Sequence, residues 1–108
     1  MKIRIDFSVS TSGGDAIGHI EGGVDFVVEP VIGDTVSLMF SPAGVGIPKG
    51  HELGGQLKVE ERVFSPGQKE YPLTLMLSDM VTETRKEAMD ILAYMESEFG
   101  LHANFYDD

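Results

Sequence analysis

The sequence predicts an α+β fold: a curled antiparallel sheet of five to six strands packed against a single C-terminal amphipathic helix. Three observations carry this expectation. Ala88, Ile91, Leu92, Met95 and Phe99 recur at the spacing of one helical face. Apolar and polar residues alternate strictly along Ile3, Ile5, Phe7 and Val9, and Leu73, Leu75 and Leu77 alternate with Thr74 and Met76. Twelve of the thirteen glycines and all five prolines precede residue 73, so turn chemistry is confined to the region before the helix.

The elements follow in order. Lys2–Val9 is the strongest strand, with Lys2, Arg4, Asp6 and Ser8 on the face opposite its apolar residues. Ser10–Asp15 (STSGGD) is a turn. Ile17–Glu29 is a second strand region that Gly22-Gly23 divides, as either a hairpin turn or a bulge. Pro30 ends it, having no N–H to donate to a ladder. Gly33-Asp34 turns the chain into a third strand, Thr35–Phe40. Ser41–Gly55 is the longest break, with five glycines and two prolines in fifteen residues. Leu57–Phe64 and Tyr71–Ser78 then form a hairpin around Ser65-Pro66-Gly67-Gln68.

The helix is expected over Thr82–Gly100. Thr84 with Glu87 three residues on has capping-box spacing, and Thr82 and Asp79 are alternative caps. Gly100 suits a left-handed C-terminal cap, after which Leu101 packs back on the last turn. Leu101–Tyr106 either adds a short final strand beside Tyr71–Ser78 or docks on the helix. The organisation is one domain, residues 1–108, reading as a complete small open reading frame.

Composition narrows the functional classes. The formal net charge is −10. Six acids and no lysine or arginine lie between Ile5 and Pro48, and six more acids with no such base lie from Glu87 onward. Phosphate backbones and anionic membranes need positive surface, so direct nucleic-acid and membrane partners are not expected. No run approaches the roughly 18 to 20 apolar residues of a membrane span. The N-terminus lacks the continuous apolar stretch of a signal peptide. With no cysteine, thiol catalysis, disulfides and thiolate metal sites are excluded, and a cytoplasmic location is the expectation.

Within Ser41–Gly55, Lys49, His51 and Glu52 bring a cation, an imidazole and a carboxylate onto one loop, where Val45, Ile47 and Leu53 are available as anchors. The loop's glycines match no P-loop, because Lys49 precedes Gly50 and no Ser or Thr follows, and no dinucleotide fingerprint, because Gly54-Gly55 leads into a strand pattern instead of a helix. Asp79, at the end of the leucine-rich strand, is either a helix cap or a binding residue. His19, His51 and His102 show no ligand spacing, so neither metal nor cofactor is expected. Met89 and Tyr94 flank the helical stripe as interface candidates, which with the open strand edges predicts a homodimer.

The leading expectation is therefore a non-catalytic ligand- or protein-binding module that self-associates. One alternative is a small enzyme with a His51/Glu52/Asp79 acid–base site. Another is an acidic inhibitor or nucleic-acid mimic that binds a basic protein.

Overall fold

The computed structural model describes residues 1–48 and 55–106. Within them lie seven strands and one helix: β1 (Lys2–Thr11), β2 (Ala16–Asp25), β3 (Thr35–Ser37), β4 (Gln56–Phe64), β5 (Leu73–Leu77), β6 (Met80–Thr82), α1 (Arg85–Phe99) and β7 (His102–Phe105). The strands form one open sheet in the order β3-β4-β5-β1-β2-β7, with β6 continuing beside β1 beyond the end of β5. The α+β class, with a curled sheet against one C-terminal helix, is as the sequence predicts. The sheet has seven strands instead of five or six, and it is mixed: β1 runs parallel to β5 and β6 and antiparallel to β2.

β1 is central because its pattern demands it. Ile3, Ile5, Phe7 and Val9 are all buried, while Arg4, Asp6 and Ser8 are half-exposed on the other face. A strand with one such apolar face gains most where both of its edges are hydrogen-bonded and that face is covered. The β1–β2 hairpin closes at Ser12–Gly14, where the Gly14 N–H donates to the Thr11 carbonyl (2.9 Å) and the Thr11 N–H to that of Asp15 (2.9 Å). Its register pairs Asp6 with Glu21 and Ser8 with His19.

β2 runs unbroken through Gly22-Gly23, which form neither a turn nor a bulge. Their small size serves close approach. A Cβ at Gly22 would lie 2.8 Å from Leu101 Cδ2 on the helix side, and one at Gly23 would collide with the Tyr71 ring on the other side. Both partners are distant in sequence, so no local signal marks them.

The second difference is β6. The strand expected over Tyr71–Ser78 ends at Leu77, and Met80–Thr82 then pairs with Val9–Thr11 instead of opening the helix. The pause holds Ser78 to β4, where its N–H donates to the Lys58 carbonyl (2.9 Å) and its Oγ accepts from the Lys58 N–H (3.0 Å). The helix therefore starts later. Thr84 is the cap: its Oγ1 accepts from the Glu87 N–H (3.2 Å), and Glu87 Oε1 accepts from the Thr84 N–H (3.1 Å). Gly100 ends the helix at φ 66°, a conformation that suits glycine, and Leu101 is buried behind it.

α1 lies across β1, β2, β6 and β7. It buries Ala88, Ile91, Leu92, Tyr94 and Met95, with Phe99 partly buried at the margin. β7 joins the opposite edge from the one expected, antiparallel to β2 and hence parallel to β6. The helix is thus a crossover that passes over two intervening strands. Leu92→Ala should cost about 2 to 5 kcal/mol in urea denaturation. Thr84→Ala should cost about 1 kcal/mol through the lost cap. A loss below half a kcal/mol for Leu92→Ala would contradict the packing described.

Candidate functional site

The curl of the sheet turns β3 back toward the end of β2, and a cavity of about 830 Å³ fills the interval. Its floor is apolar and buried: Pro30, Val36 and Leu38. Its rim is apolar and exposed, with Val27 98% and Phe40 67% accessible and Val28 also open to solvent. Phe26 and Phe99 close two further sides, and Lys2, Asp25 and Asp34 supply the charge.

Each wall is fixed by specific bonds. The segment from residue 26 to 34 is tied to the N-terminus, since the Phe26 N–H donates to the Met1 carbonyl (2.7 Å) and the Met1 amino group to that of Phe26 (2.9 Å). Its far end is tied to β4. The Gly33 N–H donates to the Val59 carbonyl (2.9 Å), the Val59 N–H donates to that of Asp34 (2.9 Å), and Glu29 pairs with Arg62. The opposite wall is a small hairpin: Phe40 bridges Gly46, and the Ser41 N–H donates to the Val45 carbonyl (2.9 Å).

Tyr94 anchors that hairpin to the helix. Its hydroxyl donates to the Leu38 carbonyl at 3.0 Å and lies 3.3 Å from the carbonyl of Val45. Ser41 Oγ donates to Glu98 Oε1 (3.1 Å) and accepts from the Val45 N–H (3.0 Å). Burial raises the Tyr94 phenol above its ordinary value of 10.0, and the Glu98 carboxylate adds to that rise.

A second constellation occupies the sheet face opposite the helix. Asp6 on β1 meets His19 on β2 through Oδ1 and Nε2. Arg4 Nη2 lies 3.2 Å from Asp6 Oδ2 and 2.5 Å from Glu21 Oε2, and its Nη1 is 3.4 Å from Thr74 Oγ1. One donor atom from each of Asp6, His19 and Glu21 lies within 4.8 Å of the others. The sequence reading missed this group because its members are 13 to 17 residues apart across a turn. The signal was nevertheless present: a strand alternation folded about STSGGD puts Asp6 opposite Glu21 and one step diagonal to His19.

The residues singled out from sequence fare differently. Lys49, His51 and Glu52 lie outside the described residues. Asp79 is exposed between β5 and β6 and does not cap the helix. Met89 is partly exposed, whereas Tyr94 is only 6% accessible and serves the chain's own interior. Leu38, Phe40, Ser41 and Pro42, from the end of the third expected strand and the start of the long break, line the cavity.

These features define a small α+β domain with an open apolar cavity at one end of its sheet and a polar cluster on its uncovered face. No family model, no curated protein and no solved structure matches the chain. Among the described residues, no helix is long and apolar enough to cross a membrane.

Tyr94→Phe should destabilise the fold by about 1 to 3 kcal/mol at neutral pH, since buried carbonyls lose a donor. Because folding raises the Tyr94 pKa, its contribution is full below pH 10 and is lost as pH rises through the raised value. The stability gap between wild type and Tyr94→Phe should therefore narrow above about pH 10 in denaturant titrations. A gap that is constant to higher pH would contradict the assigned environment.

Proposed function

We propose that the protein is a non-catalytic binding module, and that its ligand is a small organic molecule with an apolar body seated between the 26–34 segment, β3 and Phe99. The observation that carries this reading is the pairing of a buried apolar floor with exposed apolar side chains around one concave space. About 830 Å³ falls within the range of roughly 300 to 1,000 Å³ typical of small-molecule sites. Fully exposed Val27 and largely exposed Phe40 leave apolar area in water that a ligand would cover. Two carboxylates and one ammonium at the walls favour an uncharged or cationic ligand over an anionic one.

Among the described residues no histidine lines the cavity, and the Ser41 hydroxyl is engaged by Glu98 and Val45. An acid–base enzyme in this cavity is accordingly not favoured. A nucleic-acid mimic is not favoured either. Its carboxylates should stand in an unpaired row, whereas Asp6, Glu21, Glu29 and Asp90 each pair with a base of this chain.

Self-association is a second reading, favoured by the β7 edge. β7 ends the sheet, and Phe105 and Tyr106 beside that edge are exposed. An antiparallel copy of β7 would satisfy its open backbone groups and cover both rings.

A thermal-shift screen of small apolar metabolites should produce hits. A ligand at 100 times its dissociation constant adds about 2.7 kcal/mol. Phe40→Asp and Val28→Asp, at exposed positions, should abolish those shifts while leaving the unliganded melting temperature near that of wild type. Silence across a broad library would remove the small-molecule reading. For the second reading, sedimentation equilibrium should give twice 11.8 kDa, and Phe105→Lys should return the monomer. A wild-type species of 11.8 kDa at high concentration would remove self-association.

A further inference from the structure

We infer that Asp6, His19 and Glu21 form a binding site for a divalent first-row transition cation on the uncovered face of the sheet. The inference is independent of the apolar cavity, which lies elsewhere and shares none of these residues.

Geometry is the first argument. The three donor atoms lie within 4.8 Å of one another. Metal–ligand bonds to imidazole nitrogen and carboxylate oxygen are about 2.0 to 2.2 Å, which places the ligating atoms about 3 to 3.5 Å apart. Side-chain rotation alone can supply the difference. The backbone need not move, because all three residues stand on β1 and β2, held by a continuous register from Lys2–Asp25 to Val9–Gly18. Such a site is preorganised by the sheet and not assembled from loops.

The donor set is the second argument. Two carboxylates alone would describe a hard-cation site or a solvated acidic patch. The imidazole changes the preference toward metals such as zinc, cobalt and nickel, and away from magnesium and calcium. His19 Nε2 is already directed at Asp6 Oδ1, so the imidazole and one carboxylate oxygen converge on the same space.

Arg4 supplies the third argument. It engages Oδ2 of Asp6 and Oε2 of Glu21, while the imidazole meets the other oxygen of Asp6. A partner on the distal oxygen is the usual means of orienting a metal-ligating carboxylate. The guanidinium offsets only one of the two carboxylate charges, so the trio keeps a net negative charge that attracts a cation. The surroundings are partly dry: Asp6 is 14%, His19 22% and Glu21 34% accessible. Solvent can therefore reach the ion and complete its coordination sphere.

The competing description is a closed polar network in which Arg4 and His19 occupy the carboxylate oxygens of Asp6 and Glu21. It predicts no affinity for metal. The two are separated by titrating the metal-free full-length chain with Zn²⁺ by calorimetry and with Co²⁺ by visible absorption. The site predicts one equivalent bound and cobalt ligand-field bands distinct from those of the aqua ion. His19→Gln and Asp6→Asn, near-isosteric and checked for fold by circular dichroism, should each weaken binding by more than about tenfold. The double variant His51→Gln/His102→Gln should bind as wild type does. Long-range ¹H–¹⁵N spectra should show the zinc-dependent shift on His19 Nε2. Absence of binding to the wild-type chain, binding retained in His19→Gln, or loss in the double variant alone would each overturn the assignment.

Discussion

The architecture depends on one strand meeting three demands at once. β1 hydrogen-bonds β2 along one edge and β5 and then β6 along the other, while its odd-numbered side chains form the floor beneath the helix. Ile5 and Val9 are fully buried and Phe7 almost so. At about 25 cal/mol per Å² of apolar area removed from water, these residues account for a large share of the core. The even-numbered residues are then constrained to the other face, where Arg4, Asp6 and Ser8 meet His19 and Glu21. The same alternation that builds the core thus creates the polar cluster.

Much of this was legible from the residues because the signals are local. The β1 alternation, the STSGGD turn, the Thr84–Glu87 cap and the Gly100 stop each depend on neighbours within a few positions; all four occur, with the turn shortened because Ser10 and Thr11 continue β1. What was illegible depends on partners far along the chain. Gly22 and Gly23 read as punctuation, yet they are small because Leu101 and Tyr71 lie against them. β6 is three residues long, too short for periodicity to register, and is specified by the unused edge of β1. Tyr94 looked like the rim of the helical stripe, but the carbonyls of Leu38 and Val45 draw its hydroxyl inward.

The candidate sites show the same division. The apolar cavity is a product of curvature, which no window of sequence reports. Its lining comes from the β2 end, β3, the start of the long break and Phe99. The polar cluster could be derived once the hairpin register is fixed, because pairing Ser8 with His19 and Asp6 with Glu21 leaves the three donors no other arrangement on that face. Scanning for histidine spacing along the chain is the wrong test for a site built across two strands.

The parallel pairing of β1 with β5 has a consequence for how the chain acquires its structure. Arg4 and Thr74 are partners separated by 70 residues. The β1–β2 hairpin can form early, since its turn is short, but an isolated hairpin is marginal in water. Its second edge and its cover both arrive only with the last third of the chain. Loop closure of that span must be met before the core rewards it, so the sheet carries a high contact order for its size. Until β5, β6 and α1 join it, the apolar face of β1 stands exposed to water, so the hairpin passes through its most aggregation-prone state before the core closes.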